Sequence, residues 1–265
     1  MTASPALGAP IAIVGTACRF PGEIESPDDL WEFLRQGRDA ITGVPSARWV
    51  DAGDERATSR RCGGFLGDVE GFEASFFRVS PTAAASVDPQ HRVLLEVAAS
   101  ALEDAGLVLE GARSKQGGVF VGISNSDFAF LRQRARSHVG LNDAPGFVAY
   151  NLDLRGPTLA VDAACASSLV ATCLACDSLR RQECDFALAA GVNLVLMPER
   201  IDHAQRAGHF SHAGHCRSFD SRADGYVLSD GVGVIVLKLL SRAIADGDFV
   251  IATILGGAVN NSGRS

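Results

Sequence analysis

The sequence has no excess of basic residues and no long apolar run. Its 24 lysines and arginines are outnumbered by 31 acidic residues, which gives a formal net charge of −7. A nucleic-acid-binding surface requires a basic stripe, so we expect no nucleic-acid partner. The most apolar stretch, residues 186–198, is too short to span a bilayer and contains an asparagine, so we expect no membrane association.

The sequence also lacks a secretory signal and a disulfide framework. The N-terminus, MTASPALGAP, has no basic segment leading into an apolar stretch. Internal repeats, low-complexity segments and linkers are absent as well. The seven cysteines are odd in number and scattered along the chain, unlike the cysteines of small disulfide-rich domains. We therefore expect a reduced, cytoplasmic protein.

Short β-branched runs alternate with helical periodicity along the chain, and this alternation predicts a layered α/β fold. Strands are predicted at residues 11–15, 117–124, 158–163, 186–196, 231–240 and 249–261. Helices are predicted at residues 26–37, 88–106 and 126–136, and from about residue 166 to residue 181. Ser26 and Asp88 are the expected N-caps, and Gly106 is an expected stop. Residues 42–68, rich in glycine and arginine, are predicted to form a surface loop.

The stretch VDAACASSLVATCLAC, residues 161–176, contains three cysteines. Cys165 falls at the turn between a predicted strand and the following helix, where the helix dipole and unpaired backbone N–H groups favour a thiolate. Small neighbouring residues leave room for a substrate, so Cys165 is a candidate nucleophile. Position alone leaves open the alternative that Cys165 is a small buried residue.

The other clustered cysteines and histidines are predicted to have no chemical role. Cys173 and Cys176 lie deeper in the predicted helix. Redox pairs act at helix N-termini and a structural zinc needs four ligands, so both cysteines are predicted to fill the core. His209, His212 and His215 lie three apart in a loop without a recognised set of ligand partners, and we expect no metal there.

Eight motifs, in order along the chain, carry a resemblance to a known family. They are PIAIVGTACRFPG, LWEFLRQGRDAITGVPSARW, GGFLGDVEGFEASFFRVSPTAAASVDPQHRVLLEVAASALEDAG, GVFVGISNSDF, LDLRGPTLAVDAACASSLVA, DFALAAGVN, CRSFDSRADGYV and ADGDFVIATILGGAVNNSGRS. On these motifs the chain resembles the N-terminal part of a β-ketoacyl synthase, the ketosynthase domain of polyketide synthases and polyunsaturated-fatty-acid synthases. The resemblance implies a thiolase-like layered α/β/α fold, with the N-terminal half present and the second half absent. It also implies a lead-in at residues 1–10 and an incomplete ketosynthase domain at residues 11–265.

The resemblance implies acyl transfer in two steps. Cys165 matches the family's nucleophile, whose thiolate takes an acyl group from the phosphopantetheine thioester of an acyl carrier protein. A malonyl-type extender on another carrier then loses carbon dioxide, and the resulting carbanion attacks the acyl-enzyme in a decarboxylative Claisen condensation. The developing charges call for N–H donors and two histidines. The resemblance implies no bound cofactor or metal, and it implies a homodimer.

The sequence departs from the family in three places. The family's catalytic histidines and lysine lie in runs resembling V-E-A-H-G-T-G-T and N-I-G-H, and neither run occurs here. We therefore expect turnover to need a complementary C-terminal ketosynthase half, for example on another chain. The family also carries a helix of the type T-G-N-x-x-S-x-x-A-N-R-x-S before DLRGP, and residues 146–150 are predicted to lack it, which weakens the case for a homodimer. Residues 228–231 read LSDG where the family commonly has RGEG.

Two other functions stay open at this point. A catalytically incomplete remnant or scaffold would bind a carrier protein or a partner subunit without turnover, and the absent histidine runs favour it. A thiolase-like enzyme would use the same cysteine on coenzyme A thioesters. The motifs DPQHR and CRSFDSRADGYV favour a synthase over a thiolase.

Overall fold

The structure is a computed structural model that describes residues 8–46, 48–49, 62–107, 116–133, 140–261 and 263–264. Its strands are β1 (Ile11–Arg19), β2 (Ile41–Gly43), β3 (Cys62–Gly64), β4 (Gly117–Gly122), β5 (Thr158–Val161), β6 (Phe186–Asn193), β7 (Gly231–Leu239) and β8 (Ala252–Ile254). Its helices are α1 (Pro27–Arg35), α2 (Pro81–Ala84), α3 (Pro89–Asp104), α4 (Asp127–Gln133), α5 (Asp143–Asn151), α6 (Ser167–Arg180), α7 (Pro198–Arg206) and α8 (Leu240–Asp246). Within these described ranges, no helix is both long and apolar enough to span a bilayer.

Six strands form one mixed sheet in the order β5-β4-β6-β7-β1-β8. Strand β4 is hydrogen-bonded in parallel to β5 and β6, whereas the β6–β7, β7–β1 and β1–β8 pairs are antiparallel. Parallel neighbours need long crossover connections, and helices α4, α5 and α6 lie in those connections. Strands β2 and β3 form a separate two-stranded sheet.

Helices cover both faces of the six-stranded sheet. Helix α3 packs on β1, β7 and α5 on one face, and α6 packs on β4 and β6 on the other. Val121 and Leu188 point into the core on the α3 side, whereas Phe120 and Ala187 point into the core on the α6 side. Because the central strands are buried on both faces, they read as nearly continuous apolar runs in the sequence. The predicted layered α/β fold is confirmed.

Two glycines on neighbouring strands let α6 approach the sheet closely. A side chain at Gly122 would collide with the backbone of Ser167 and Ser168, and one at Gly191 would lie 2.8 Å from the Ser168 Cβ. Gly122 and Gly191 are register partners in the β4–β6 pair, so the surface that lacks side chains extends across two neighbouring strands. The first turn of α6 therefore packs directly on the sheet. This contact fixes the distance between the sheet and the residues just before α6.

The predicted N-caps and the stop of the long helix are confirmed. Ser26 Oγ accepts the Asp29 N–H at 3.1 Å at the start of α1. Asp88 Oδ1 accepts the Gln90 N–H at 2.9 Å at the start of α3. Gly106 follows α3 with a φ of +65°, a conformation that favours glycine.

The expectation that residues 146–150 lack a helix is wrong, because α5 leads directly into the DLRGP segment. Pro145 and Gly146 obscured this helix in the sequence. Pro145 lies in the first turn, where backbone N–H groups need no partner within the helix. The buried residues of α5 recur at helical spacing: Ala144, Pro145, Val148 and Ala149. Since the helix is present, its supposed loss gives no reason against a homodimer.

The predicted strand at residues 249–261 is wrong over most of its length. Only β8 pairs with the sheet, through residues 11–13 of β1. A side chain at Gly257 would lie 2.8 Å from Cys173 Sγ, so the chain leaves the sheet edge here and crosses against α6. Residues 255–261 form neither strand nor helix, and Gly257 among them lies against α6.

The predicted surface loop at residues 42–68 is wrong in part. Its described residues include β3, and the Arg48 side chain is almost completely buried. Residues 50–61 of the predicted loop lie outside the described residues. Arginine content alone did not distinguish an exposed charge from one that pairs with a carboxylate in the interior.

Candidate active site

Cys165 lies in the turn that joins β5 to α6, as the sequence predicts. A 3₁₀ turn, Ala164–Ala166, leads from the end of β5 into α6 at Ser167. The Cys165 thiol is exposed, and so are its alanine neighbours. The turn therefore presents an accessible sulfur at the N-terminal end of a 14-residue helix, where the helix dipole favours negative charge.

The Cys165 turn opens onto a groove of about 710 Å³. The ends of β4 and β6 form its floor, and residues 226–230, just before β7, form one wall. Apolar side chains such as Phe20 and Ile123 share the lining with Asn193 and Arg200. A concave surface with apolar walls and a few convergent polar groups is typical of a substrate-binding site.

A polar network fixes the groove at the end of β6. Asn193 Nδ2 donates to the Ser229 carbonyl at 2.6 Å, and Arg200 Nη1 donates to Asn193 Oδ1 at 3.3 Å. Arg200 also lies 3.5 Å from Asp127 Oδ2. Burial raises the pKa of Asp127, and the Arg200 charge opposes that rise. Both ends of the Asn193 amide are bonded within the protein, so Asn193 holds the wall at residues 226–230 in place.

Asp230, at the edge of the groove, forms an ion pair with Arg48 in which both side chains are almost fully buried. Asp230 accepts hydrogen bonds from Arg48 Nη2 at 2.8 Å, Leu66 N–H at 3.0 Å and Val195 N–H at 2.7 Å. Burial raises the pKa of Asp230, and the Arg48 charge and the two amides act against the rise. One carboxylate thus ties the groove wall to three separate segments of the chain.

Histidines are absent from the described lining of the groove. Of the six histidines in the sequence, His138 lies outside the described residues, and the other five do not line the groove. His91 is buried in α3, where burial lowers its pKa. His215 Nδ1 lies 2.9 Å from Asp39 Oδ2 on the surface. The described groove therefore holds a cysteine without a histidine in its walls.

The remaining cysteines differ in exposure. Cys176, on the buried face of α6, lies in the core as predicted, and burial raises its pKa to about 11. Cys173 was also predicted to fill the core, but it is only half-buried, because Gly257 of the crossing segment covers it from one side only. Cys216 is exposed and accepts the Val227 N–H at 3.2 Å. In the part of the chain that the structure describes, no three histidine, cysteine, aspartate or glutamate side chains lie together as a group that could hold a metal ion.

Sequence reasoning missed three parts of the site: the hydrogen bond between Ser124 and Ser167 beside the Cys165 turn, the Asn193 network and the Arg48–Asp230 pair. Each joins groups whose proximity depends on the fold, and Arg48 and Asp230 are 182 residues apart in sequence. The one available signal was the aspartate and glycine content of residues 216–238, which is typical of an ordered loop leading into a strand.

Comparison with solved structures shows that this chain has the thiolase-like fold of ketosynthases. A ketosynthase from module 6 of the bacillaene synthase of Bacillus subtilis gives a TM-score of 0.87 at 37% identity, over 97% of this chain and 44% of that chain. An oxazolomycin ketosynthase domain from Streptomyces albus gives a TM-score of 0.88 at 36% identity, over 96% of this chain and 48% of that chain. The chain spans less than half of either structure.

Sequence comparison then gives the family. The model of the β-ketoacyl synthase N-terminal domain matches residues 8–243. One component of the phenolphthiocerol/phthiocerol polyketide synthase of Mycobacterium tuberculosis is 46% identical over 274 residues, covering 98% of this chain and 15% of that protein. Another component of the same synthase is 43% identical over 275 residues, covering 98% of this chain and 18% of that protein. The chain belongs to the β-ketoacyl synthase family and spans less than a fifth of these curated relatives.

Proposed function

We propose that this chain supplies the acyl-accepting half of a ketosynthase active site for polyketide or fatty-acid chain elongation. Cys165 takes an acyl group from the phosphopantetheine thioester of an acyl carrier protein, without a bound cofactor or metal. The observation that carries the proposal is an exposed cysteine at the β5–α6 turn, beside a groove, in a chain of the β-ketoacyl synthase family. A lead-in at residues 1–10 and an incomplete domain at residues 11–265 are part of the proposal.

The first step is a thiol–thioester exchange. The Cys165 thiolate attacks the thioester carbonyl and forms a new C–S bond. The tetrahedral intermediate then releases the carrier thiolate, which takes up the proton that Cys165 lost. The N-terminal end of α6 favours the negative charge that develops at this turn.

The second step needs groups that the described residues do not bring to the groove. Loss of carbon dioxide from a malonyl-type extender leaves a carbanion, which forms a C–C bond to the acyl carbon while the Cys165 sulfur leaves. The carbanion and the tetrahedral intermediate need charge stabilisation of the kind that histidines provide. The proposal therefore includes a complementary C-terminal ketosynthase half as a partner.

The outer face of α6 supports such a partner. Leu169 is 71% exposed, and Leu174 is exposed on the same helix. Leu255 and Val259, on the segment that crosses the helix, are exposed as well. Large apolar side chains left exposed on a helix and on the segment that crosses it are of the kind that a bound protein covers. Leu169 lies one turn along the chain from Cys165, so a partner seated on this face would reach the groove.

Acylation of the chain tests the proposal. Incubation with an acyl thioester of a carrier protein should add one acyl group, detected by intact mass. The adduct should disappear in Cys165→Ala and persist in Cys216→Ala, because Cys216 is the other fully exposed cysteine. An unmodified wild-type chain, or an adduct that survives Cys165→Ala, contradicts the proposal.

The absence of histidine from the described groove lining favours a second candidate, an incomplete scaffold that binds a carrier protein without turnover. Carrier binding by a chain that never becomes acylated would support this scaffold. Carbon dioxide release from a malonyl-type extender, dependent on Cys165 and on an added C-terminal ketosynthase half, would support the enzyme instead.

A further inference from the structure

Ala164, the residue before Cys165, has a backbone conformation that alanine rarely adopts. Its φ is +50°, in the left-handed region that favours glycine. A residue with a Cβ atom stays in this region only when the surrounding contacts hold it there. The contacts around Ala164 therefore determine the geometry of the Cys165 turn.

Two side chains hold Ala164 in this conformation. The Ala164 N–H donates to Asp162 Oδ1 at 3.0 Å, and Ser167 Oγ–H donates to the Ala164 carbonyl at 2.6 Å. Ser167 Oγ also accepts the Ala163 N–H at 2.9 Å. The peptide groups on both sides of Ala164 are thus fixed, one by a carboxylate and the other by a hydroxyl.

A residue at the end of a sheet strand also contacts this hydrogen-bonded turn. Ser124, just after β4, places its Oγ 2.9 Å from Ser167 Oγ and 3.4 Å from the Ala164 carbonyl oxygen. Ser167 is buried, although the residues of the turn before it are exposed. The hydrogen bond from the Ala164 amide holds the pKa of Asp162 below its usual range, so Asp162 stays an ionised acceptor.

We propose that Ser167 and Asp162 are positioning residues that hold the turn in a strained conformation, and that this conformation directs the Cys165 thiol over the groove. The inference rests on the proposed function, in which Cys165 is the nucleophile. Ser167 acts through the backbone of Ala164 rather than on the reactants. Without its hydroxyl, Ala164 returns to a negative φ, and the peptide that carries Cys165 rotates.

The rate of Cys165 alkylation by iodoacetamide tests the inference. Site-resolved peptide mass spectrometry measures this rate, and the exposed Cys216 serves as a reference in the same chain. In Ser167→Ala we expect the Cys165 rate to fall about tenfold relative to the Cys216 rate. Thr172→Ala is the matched control, because it removes an α6 hydroxyl that bonds to the Ser168 carbonyl at 2.9 Å, and it should leave the ratio unchanged.

A second substitution separates positioning from damage to the fold. Glycine adopts a positive φ without strain, so in an Ala164→Gly background Ser167→Ala should lower the rate by less than about threefold. Ser124→Ala removes the contact with Ser167 and the longer, 3.4 Å contact with the Ala164 carbonyl, and it should give a smaller loss than Ser167→Ala, which removes the 2.6 Å hydrogen bond. Equal losses from Ser167→Ala in both backgrounds, or a wild-type rate in Ser167→Ala itself, overturn the inference.

The alkylation assay is independent of the proposed function, because iodoacetamide requires no acyl donor and no partner. A chain that shows the expected alkylation rates but takes no acyl group would refute the proposed function alone. A chain that is acylated on Cys165 but is indifferent to Ser167→Ala would refute the positioning role alone.

Discussion

The Asp230 side chain has no exposed surface, yet it accepts hydrogen bonds from three separate segments of the chain. A buried carboxylate costs free energy unless a counter-charge and hydrogen-bond donors compensate for its lost hydration. Arg48 supplies the counter-charge and is itself almost fully buried, so each partner depends on the other. The wall of the Cys165 groove is therefore sensitive to a single residue that never meets a reactant in the proposed function.

Asp230→Ala should lower the free energy of unfolding by about 3–5 kcal/mol, because Arg48 would remain buried without its counter-charge. Denaturant titration followed by circular dichroism measures the loss. Asp230→Asn keeps an acceptor for the neighbouring amides and should cost less. Asp220→Ala is the control: it removes an exposed pair with Arg222 and should leave the unfolding midpoint unchanged. A wild-type midpoint for Asp230→Ala would show that the pair is not structural.

At the scale of elements, the strands were predicted best where both faces of the sheet are covered. Strands β4, β6 and β7 are continuous apolar runs, and each is found within a few residues of its predicted bounds. The capped helices α1 and α3 were predicted for a similar reason, since Ser26 and Asp88 mark their starts. Elements whose stability comes from local signals or complete burial can therefore be read from the sequence.

Elements that depend on a neighbour could not be read in this way. Helix α5 carries Pro145 and Gly146, and its stability comes from packing its buried face on α3. The apolar run after residue 248 looked like a buried strand but lies at an open edge, where only three residues pair. The positive φ of Ala164 was not predicted; Asp162 and Ser167 hold it by hydrogen bonds, and Ser167 is in turn contacted by Ser124 from the end of β4.

The contact between α3 and α5 predicts a dependence of stability on pH. His91 is buried in α3, and burial lowers its pKa, whereas the nearby charges of Asp88 and Asp143 oppose that shift. The unfolded chain, with a histidine pKa near 6.5, then binds more protons than the folded chain below that pH. The free energy of unfolding should therefore fall as pH decreases from 6.5 toward the lowered pKa of the folded state.

Denaturant midpoints across this range, for the wild type and for His91→Gln, measure the effect. The wild type should lose more stability on acidification than His91→Gln, because the substituted chain has no imidazole to protonate at this position. His203→Gln, which changes an exposed histidine, should follow the wild type. Parallel curves for the wild type and His91→Gln would contradict a neutral, buried His91.

At the scale of the whole molecule, the outer face of α6 and the segment that crosses it leave apolar side chains exposed. We expect the isolated chain to self-associate through this face, because burying apolar area is favourable at about 25 cal/mol per Å². The combined Leu169→Glu and Leu174→Glu variant should reduce association, measured by sedimentation velocity. Leu34→Glu changes an exposed leucine on α1 and should not. A wild-type chain that stays monomeric at all concentrations would rule out self-association through this surface.

The position of β1 in the sheet also determines when the sheet can be completed. Strand β1 is near the N-terminus, but its two partners, β7 and β8, are made from residues beyond 230. During synthesis on the ribosome, β1 therefore cannot pair until residues beyond 230 have emerged. Contacts between such distant residues slow folding, because a long loop must close before any of them forms. Until then, β1 is an unpaired apolar strand, and a nascent chain in this state is a natural substrate for chaperones.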